Sequence, residues 1–169
     1  MIGWDLAAPT PSFLLSERRG PKRQQFLSET TMPLVRIDLL EGRSPEFLSL
    51  ISQTIHATMI SHLSVLERDY FQIITEHKPY QLIFSRDYLD VNRSDKHIFV
   101  HIFLSAGRTG EVKEGFFKAL NQALREVNVQ GEEEIRGEDV SVILTETKKE
   151  DWSFGNGISY LTLPKEQWH

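Results

Sequence analysis

The amino-acid sequence predicts an α+β fold of two tandem β-α-β units, forming a four-stranded sheet with two helices on one face. One observation is that the same order of elements occurs twice: an apolar strand, a Gly-Arg turn, a capping residue, a helical stripe and a second strand. The other observation is that two segments recur with similar sequence. Residues 41–46 (EGRSPE) match residues 106–111 (AGRTGE), and residues 69–76 (DYFQIITE) match residues 139–146 (DVSVILTE). Because helices would cover only one face of this sheet, we expect self-association through the other.

The first unit begins with Leu34–Leu40 (LVRIDLL), which is short, apolar and rich in β-formers, as is typical of a strand. Ser44 is a favourable N-cap, and the proline after it stands where a helix does not need its missing N–H. Apolar residues then recur at helical spacing: Leu48, Ile51, Ile55 and Met59. This stripe predicts a helix to about His62, and residues 69–76 are the predicted second strand.

The second unit follows the same plan. Ile98–Ser105 (IFVHIFLS) is the predicted strand, and Thr109 takes the N-cap place of Ser44. The helical stripe consists of Phe116, Phe117, Leu120 and Leu124. Residues 139–146 are the predicted last strand, and the default connection within each unit makes its two strands parallel.

Two irregular segments lie between these elements. Residues 77–97 contain Pro79, many charges and little periodicity, which predicts a long connection with a short strand at residues 81–84. The repeat is shifted by 65 residues at the Gly-Arg turn (108 − 43) and by 70 at the second strand (139 − 69). The difference indicates a five-residue insertion near the acidic run at residues 132–134.

The predicted domain spans residues 32–157, with units at about 33–76 and 98–146. Residues 1–31 show no strand or helix pattern, and we expect an extension that is disordered or is not part of the native chain. Its basic cluster also fits a nuclear signal or a nucleic-acid contact, whereas its acidic residues oppose an organelle transit peptide. Residues 158–169 are expected to form a tail that packs on the domain or on a neighbouring subunit.

Composition narrows the function. The chain has 169 residues, 40% of them hydrophobic and 25% charged, as in ordinary globular proteins. Its net charge of −5 opposes non-specific nucleic-acid binding, and no apolar run approaches the roughly 18 residues of a membrane span. The absence of cysteine excludes disulfides, thiolate metal sites and a cysteine nucleophile. We expect a cytoplasmic protein with no cofactor, no metal site, and no nucleic-acid or membrane partner.

Pro33 has two interpretations. If Met32 is an internal residue, the nitrogen of Pro33 is an ordinary amide and takes no part in acid–base chemistry. If Met32 is an initiator that is removed, Pro33 becomes a free secondary amine at the start of the first strand. Such an amine in an apolar pocket beside cations acts as a base near neutral pH, and in a less perturbed site as an acid.

Four charged residues stand at equivalent places in the two units. Arg108 and Arg43 each follow a strand and precede a helix N-terminus, where anionic ligands collect and a guanidinium can bind a carboxylate with two hydrogen bonds. A surface arginine is the commoner explanation. Asp69 and Asp139 open the second strand of each unit, where an aspartate can activate water or serve as a turn residue.

The segment at residues 151–157 (DWSFGNG) places Trp152 and Phe154 among polar and glycine residues. Large rings on a loop need burial, and the two glycines permit tight turns. We therefore expect this loop to fold over the core, a neighbouring subunit or a pocket.

With these motifs the chain resembles the tautomerase superfamily, whose members are built from β-α-β units and use an amino-terminal proline. The resemblance rests on MPLVRIDLLEGRS, DYFQIITEHKP, SAGRTGEVK and DWSFGNG, and covers about residues 33–157. The internal duplication is similar to that of the fused-chain branch. Within that branch, the chain most resembles malonate semialdehyde decarboxylase and its tautomerase-like neighbours, which implies a homotrimer with sites at the subunit boundaries.

The resemblance implies roles for five residues. Pro33 would be the catalytic amine, Asp69 would position a water or the substrate, and Arg108 would bind the substrate carboxylate. Trp152 and Phe154 would form the apolar wall of the pocket.

One departure from the decarboxylase pattern bears on the reaction. The decarboxylase has a second arginine two residues before the one matched by Arg108, and here that residue is Ala106. Keto–enol tautomerisation of a small 2-oxo acid needs only one amine and one cation, so it is the predicted activity. The alternatives are a related decarboxylase or hydratase, or a non-catalytic trimeric ligand-binding protein if Pro33 is not amino-terminal.

Overall fold

A computed structural model of the chain describes residues 32–164. The main elements are β1 (Leu34–Leu40), α1 (Pro45–Leu63), β2 (Gln72–His77), β3 (Ile98–Ser105), α2 (Gly110–Arg125) and β4 (Val140–Thr147). The structure confirms the predicted α+β fold of two β-α-β units, and β1 and β3 have the predicted bounds. Residues 1–31, and with them the predicted extension, lie outside the described residues.

The sheet has the strand order β2-β1-β3-β4. β1 is parallel to β2 and β3 is parallel to β4, as a crossover helix within each unit requires. β1 and β3 meet in the centre as an antiparallel pair, in which Leu34 lies opposite Phe103 and Leu39 opposite Ile98. The two units are therefore related by an approximate two-fold axis through the middle of the sheet.

The hydrophobic core lies between the sheet and the two helices. Residues of β1 and β3 alternate between this core and the other face, because successive side chains of a strand point to opposite sides. The core faces of the two central strands consist of Val35, Ile37, Leu39, Ile98, Val100, Ile102 and Leu104. Phe47 of α1 and Phe116 of α2 are the largest fully buried side chains, and burial of each contributes about 1.5–3 kcal/mol.

Both helices begin at the predicted caps. The Ser44 hydroxyl accepts a hydrogen bond from the Phe47 N–H at 3.2 Å, and the Thr109 hydroxyl accepts one from the Val112 N–H at 3.3 Å. Each cap satisfies one of the amides that a helix leaves without a partner at its start. α1 ends at Leu63, and Ser64 follows in the left-handed conformation (φ 55°).

The structure differs from the sequence prediction in three segments. β2 begins at Gln72 rather than at residue 69, because the Asp69 N–H bonds the Leu66 carbonyl at 3.0 Å and keeps the preceding residues in a turn. β4 begins at Val140, after a single 3₁₀ turn that contains Asp139. The predicted strand at residues 81–84 is wrong, since this segment follows a turn and pairs with no strand.

The face of the sheet opposite the helices is not covered by any described element. It carries Ile73 of β2 and Ile143 of β4, which are 43% and 51% exposed, together with Phe99 and Phe103 of β3. Within residues 32–164, neither α1 nor α2 has the length and apolarity needed to cross a membrane.

Candidate active site

The five residues to which the resemblance assigns roles lie at one end of the sheet, which we call the Pro33 edge, whereas Arg43 and Asp139 lie at the opposite end. It comprises the starts of β1 and β2 and the ends of β3 and β4. Pro33 is buried immediately before β1. Val35, two residues after Pro33, donates its N–H to the Phe71 carbonyl at 3.0 Å, which places the start of β2 next to the start of β1. Across the central pair, Leu34 lies opposite Phe103 near the end of β3.

Asp69 is buried at this edge in an unusual state. It lies two residues before Phe71, and only 2% of the residue is exposed. Its Oδ2 is buried and has no hydrogen-bond partner among residues 32–164. Burial raises the pKa of Asp69 above its ordinary value, opposed by Arg68, a Leu66 amide and His56. A buried carboxylate oxygen without a donor is costly, which makes Asp69 a candidate functional residue.

His56 of α1 belongs to the same neighbourhood and was not identified from the sequence. Its Nε2 lies 2.8 Å from the Glu67 carbonyl, so this nitrogen carries the proton and donates it. Nδ1 is buried, and no residue within 32–164 forms a hydrogen bond with it. The ring packs on Tyr70 with centroids 4.4 Å apart. The available signal was a histidine within the buried stripe of a helix, one turn after the buried Ser52.

Arg108 reaches the Pro33 edge from the turn before α2. Its Nε and Nη2 donate to the Leu63 carbonyl at 3.1 and 2.7 Å, and its Nη1 donates to the Ser105 carbonyl at 2.8 Å. These bonds tie the end of α1 to the end of β3. Burial lowers the pKa of Arg108 from its ordinary value, and the charge of Glu146 opposes this shift. The guanidinium is thus fixed at the edge, in contact with the negative end of the α1 dipole.

The segment at residues 151–157, which we call the aromatic loop, folds over the Pro33 edge. Trp152 donates its indole N–H at 2.7 Å to the hydroxyl of Thr147, the last residue of β4. The Trp152 and Phe154 rings are stacked with centroids 5.4 Å apart, and Phe154 lies 5.6 Å from Phe71. Tyr160, only 3% exposed, meets Phe154 edge-on at 5.9 Å. The loop therefore packs on its own domain and places two aromatic rings against Phe71 at the start of β2.

The opposite end of the sheet carries the equivalent residues of the second unit, but their identities and hydrogen bonds differ. The 65-residue shift puts Ile98, fully buried, where Pro33 lies. Asp139 is as buried as Asp69, but both of its oxygens accept hydrogen bonds from Ser94, one from the N–H at 2.6 Å and one from the hydroxyl at 2.7 Å. Of the two repeated aspartates, Asp69 alone keeps a buried oxygen without a partner.

Two family models match the chain, and both are described as tautomerase enzymes. One matches residues 69–155 and the other residues 33–92. The probable tautomerase YusQ of Bacillus subtilis (strain 168) is 38% identical over 126 residues, which cover 75% of this chain and 95% of YusQ. The probable tautomerase YrdN of the same strain is 32% identical over 75% of this chain and 93% of YrdN.

Solved structures agree with this assignment. The FG41 malonate semialdehyde decarboxylase inhibited by 3-bromopropiolate is 37% identical, with a TM-score of 0.66 over 74% of this chain and 91% of that one. A second malonate semialdehyde decarboxylase, whose structures are related to decarboxylase and hydratase activities, is 29% identical, with a TM-score of 0.67 over 76% and 96%. A symmetric trimer of a fused 4-OT is 23% identical with a TM-score of 0.60, over 76% of this chain and 96% of that one, and it shows the fold alone.

The two β-α-β units, the Pro33 edge and these relatives lead to one assignment. This chain belongs to the tautomerase superfamily.

Proposed function

We propose that the protein is a tautomerase that moves a proton between the keto and enol forms of a small 2-oxo acid, with Pro33 as an amino-terminal amine. The observation that carries the proposal is the burial of Pro33 at the same edge as Asp69, whose Oδ2 has no partner. The family model that begins at residue 33 supports a functional start there.

The roles follow from the placement of each group. A free Pro33 amine takes the enol proton or delivers it to carbon, which requires that its lone pair is not delocalised into a preceding amide. Arg108 donates hydrogen bonds to the Leu63 and Ser105 carbonyls, which fix its position, so it supplies a preorganised positive charge for the substrate carboxylate. Trp152 and Phe154 exclude water from the site, which strengthens both effects.

The orphaned Asp69 oxygen favours a second candidate function. A carboxylate acceptor in an apolar site can orient a water molecule, as hydration or hydrolytic decarboxylation of a carboxylate substrate requires. The two malonate semialdehyde decarboxylases among the similar structures support a lyase of this kind. Ala106 opposes it, because an alanine provides no second cation for the carboxylate.

We also propose that the active form is a homotrimer. The uncovered sheet face supports this, since large apolar side chains such as Ile73 and Ile143 are half exposed on it. The non-catalytic alternative is a trimer that keeps the pocket but retains an acylated Pro33.

The experiment compares the 169-residue chain with a shorter chain that begins at Pro33. We expect the shorter chain to ketonise phenylenolpyruvate or 2-hydroxymuconate, followed by the decay of enol absorbance, and the longer chain to be inactive. Equal activity in both would rule out Pro33 as the base. Activity in neither, with the trimer intact by light scattering, would favour the ligand-binding alternative. A monomer at micromolar concentration would refute the trimer.

Two variants of the shorter chain separate the roles. Arg108→Ala should cost about 2–4 kcal/mol of transition-state stabilisation, the range for one lost preorganised donor. Asp69→Asn should affect ketonisation less than hydration or decarboxylation, where a water must be oriented. Greater loss of ketonisation than of hydration in Asp69→Asn would contradict the assigned role of Asp69.

A further inference from the structure

Arg43, the first-unit counterpart of Arg108, holds a carboxylate of its own chain. Its Nη1 donates to Oε2 of Glu132 at 2.9 Å, and the side chains of Arg43 and Glu132 are only 6% and 13% exposed. The other carboxylate oxygen accepts the Ser44 N–H at 2.6 Å, at the start of α1. The carboxylate therefore lies between a guanidinium and a helix N-terminus, which are two favourable partners for an anion.

The guanidinium is built into the protein rather than displayed on its surface. It lies over the Phe47 ring with 4.4 Å from its carbon to the ring centroid, and its Nη1 also contacts the Glu133 carbonyl at 3.3 Å. Its Nη2 is buried and has no hydrogen-bond partner in the part of the chain that the structure describes. A guanidinium can give a carboxylate two parallel hydrogen bonds, so Glu132 uses this arginine incompletely.

A cavity of about 260 Å³ adjoins this arginine. Its lining includes Leu39, Leu40, Gly42, Arg43 and Lys96, together with the acidic residues Glu41 and Asp95. Lys96 is half exposed at the rim, where its ammonium lies 3.7 Å from the Glu133 carboxylate.

The occupant comes from the part of the chain that breaks the internal repeat. Glu132 belongs to the acidic run at residues 132–134, where the second unit has five more residues than the first. At the Pro33 edge the corresponding arginine, Arg108, binds main-chain carbonyls. The insertion thus supplies this end of the sheet with a carboxylate ligand.

We propose that Arg43 and the N-terminus of α1 form a second carboxylate-binding site, separate from the Pro33 edge, with Glu132 as its internal ligand. The site takes a short-chain monocarboxylate of acetate or propionate size, which reproduces the end of a glutamate side chain. A tethered carboxylate has an effective concentration in about the millimolar range. Free carboxylates therefore compete poorly in the wild type, and loss of Glu132 opens the site to them.

The test is rescue of the full chain with Glu132→Ala by sodium acetate and sodium propionate. Thermal unfolding is measured against sodium chloride at equal ionic strength and protein concentration, because ligand that binds only the folded state raises Tm. We expect the apparent acetate affinity of Glu132→Ala to exceed that of the wild type at least about tenfold. The double variant Arg43→Met/Glu132→Ala should show no response beyond chloride.

Glu133→Ala is the matched control, because it removes a neighbouring charge whose carboxylate pairs with the half-exposed Lys96. It should behave as the wild type towards acetate. A folded Glu132→Ala that responds equally to acetate and chloride would overturn the proposal, as would rescue that persists without Arg43.

If Glu132→Ala does not fold even in acetate, the wild type decides the question by NMR. The hydrogen bond from Ser44 and the contact with Arg43 lower the pKa of the Glu132 carboxyl. The Ser44 amide should therefore titrate together with that carboxyl and below the range of ordinary glutamates. A Ser44 amide that does not follow Glu132 would show that the carboxylate does not occupy this site in solution.

Discussion

The two repeated aspartates offer a controlled comparison, Asp69→Asn against Asp139→Asn. Both residues are almost completely buried just before the second strand of their unit. Both substitutions replace one carboxylate oxygen by an NH₂ group and remove the negative charge. They differ in partners, because Asp139 accepts two hydrogen bonds from Ser94 and Asp69 keeps Oδ2 without one. The same chemical change should therefore have opposite effects on the free energy of unfolding.

The magnitudes follow from those partners. In Asp139→Asn, the new NH₂ group faces either the Ser94 N–H, which cannot accept, or the Ser94 hydroxyl, which can turn. One charge-assisted hydrogen bond is weakened and the charge is lost, which costs about 1.5–3 kcal/mol. In Asp69→Asn, a buried and poorly paired charge is removed, so stability should be unchanged or rise by about 1 kcal/mol.

The pH dependence gives a second readout. Burial raises the folded-state pKa of Asp69 above its unfolded value, so the folded state binds more protons between the two values. Stability then falls as pH rises through that window, and the penalty persists at neutral pH. Asp69→Asn should remove this contribution. Urea unfolding at fixed protein concentration, from pH 4 to pH 8, measures both effects. Destabilisation of Asp69→Asn equal to that of Asp139→Asn would refute the reasoning that Asp69 is held for function.

Two further predictions concern stability. Burial lowers the pKa of His97 in the folded state; Arg93 acts in the same direction and Asp139 opposes it. Below about pH 6.5, the ordinary pKa of histidine, the unfolded state therefore binds more protons than the folded state. Tm should therefore decrease as the pH is lowered below that value, and His97→Asn should flatten this part of the Tm profile. An unchanged slope in His97→Asn would contradict the prediction. Trp152→Phe removes the indole bond to Thr147 and should cost about 1 kcal/mol in urea unfolding. Thr147→Val should cost more, because it also removes the hydrogen bond from the Thr147 hydroxyl to the Leu104 carbonyl, and the two losses should not be additive.

The fold could be predicted because its signals are local. Alternating β-formers set the bounds of β1 and β3, and a capping residue before an apolar stripe set the start of both helices. The prediction was wrong where aromatic residues occur outside strands. Tyr70 and Phe71 are β-formers, but they follow a turn fixed by the Asp69 N–H, and β2 begins only after them.

The candidate site could be predicted only as a set of residues. Repetition picked out Asp69 and Asp139, but their different states depend on Ser94, 45 residues from Asp139 in sequence. The pairing of Arg43 with Glu132 spans 89 residues and was equally invisible, since the acidic run registered only as an insertion. Of the tail expected at residues 158–169, residues 165–169 lie outside the described residues, whereas Tyr160 packs on Phe154.

The antiparallel pairing of β1 with β3 has a consequence for how this protein can change. In a symmetric pair of identical units, every substitution appears twice, so improving one end of the shared sheet alters the other end as well. Here both units lie in one chain, and the two ends vary independently. One end carries Pro33 and Asp69, whose Oδ2 has no hydrogen-bond partner among the described residues, while the other has Ile98 in the place of Pro33 and a Glu132 carboxylate bound by Ser44 and Arg43. Covalent joining thus allows a substitution at one end of the shared sheet without the same substitution at the other.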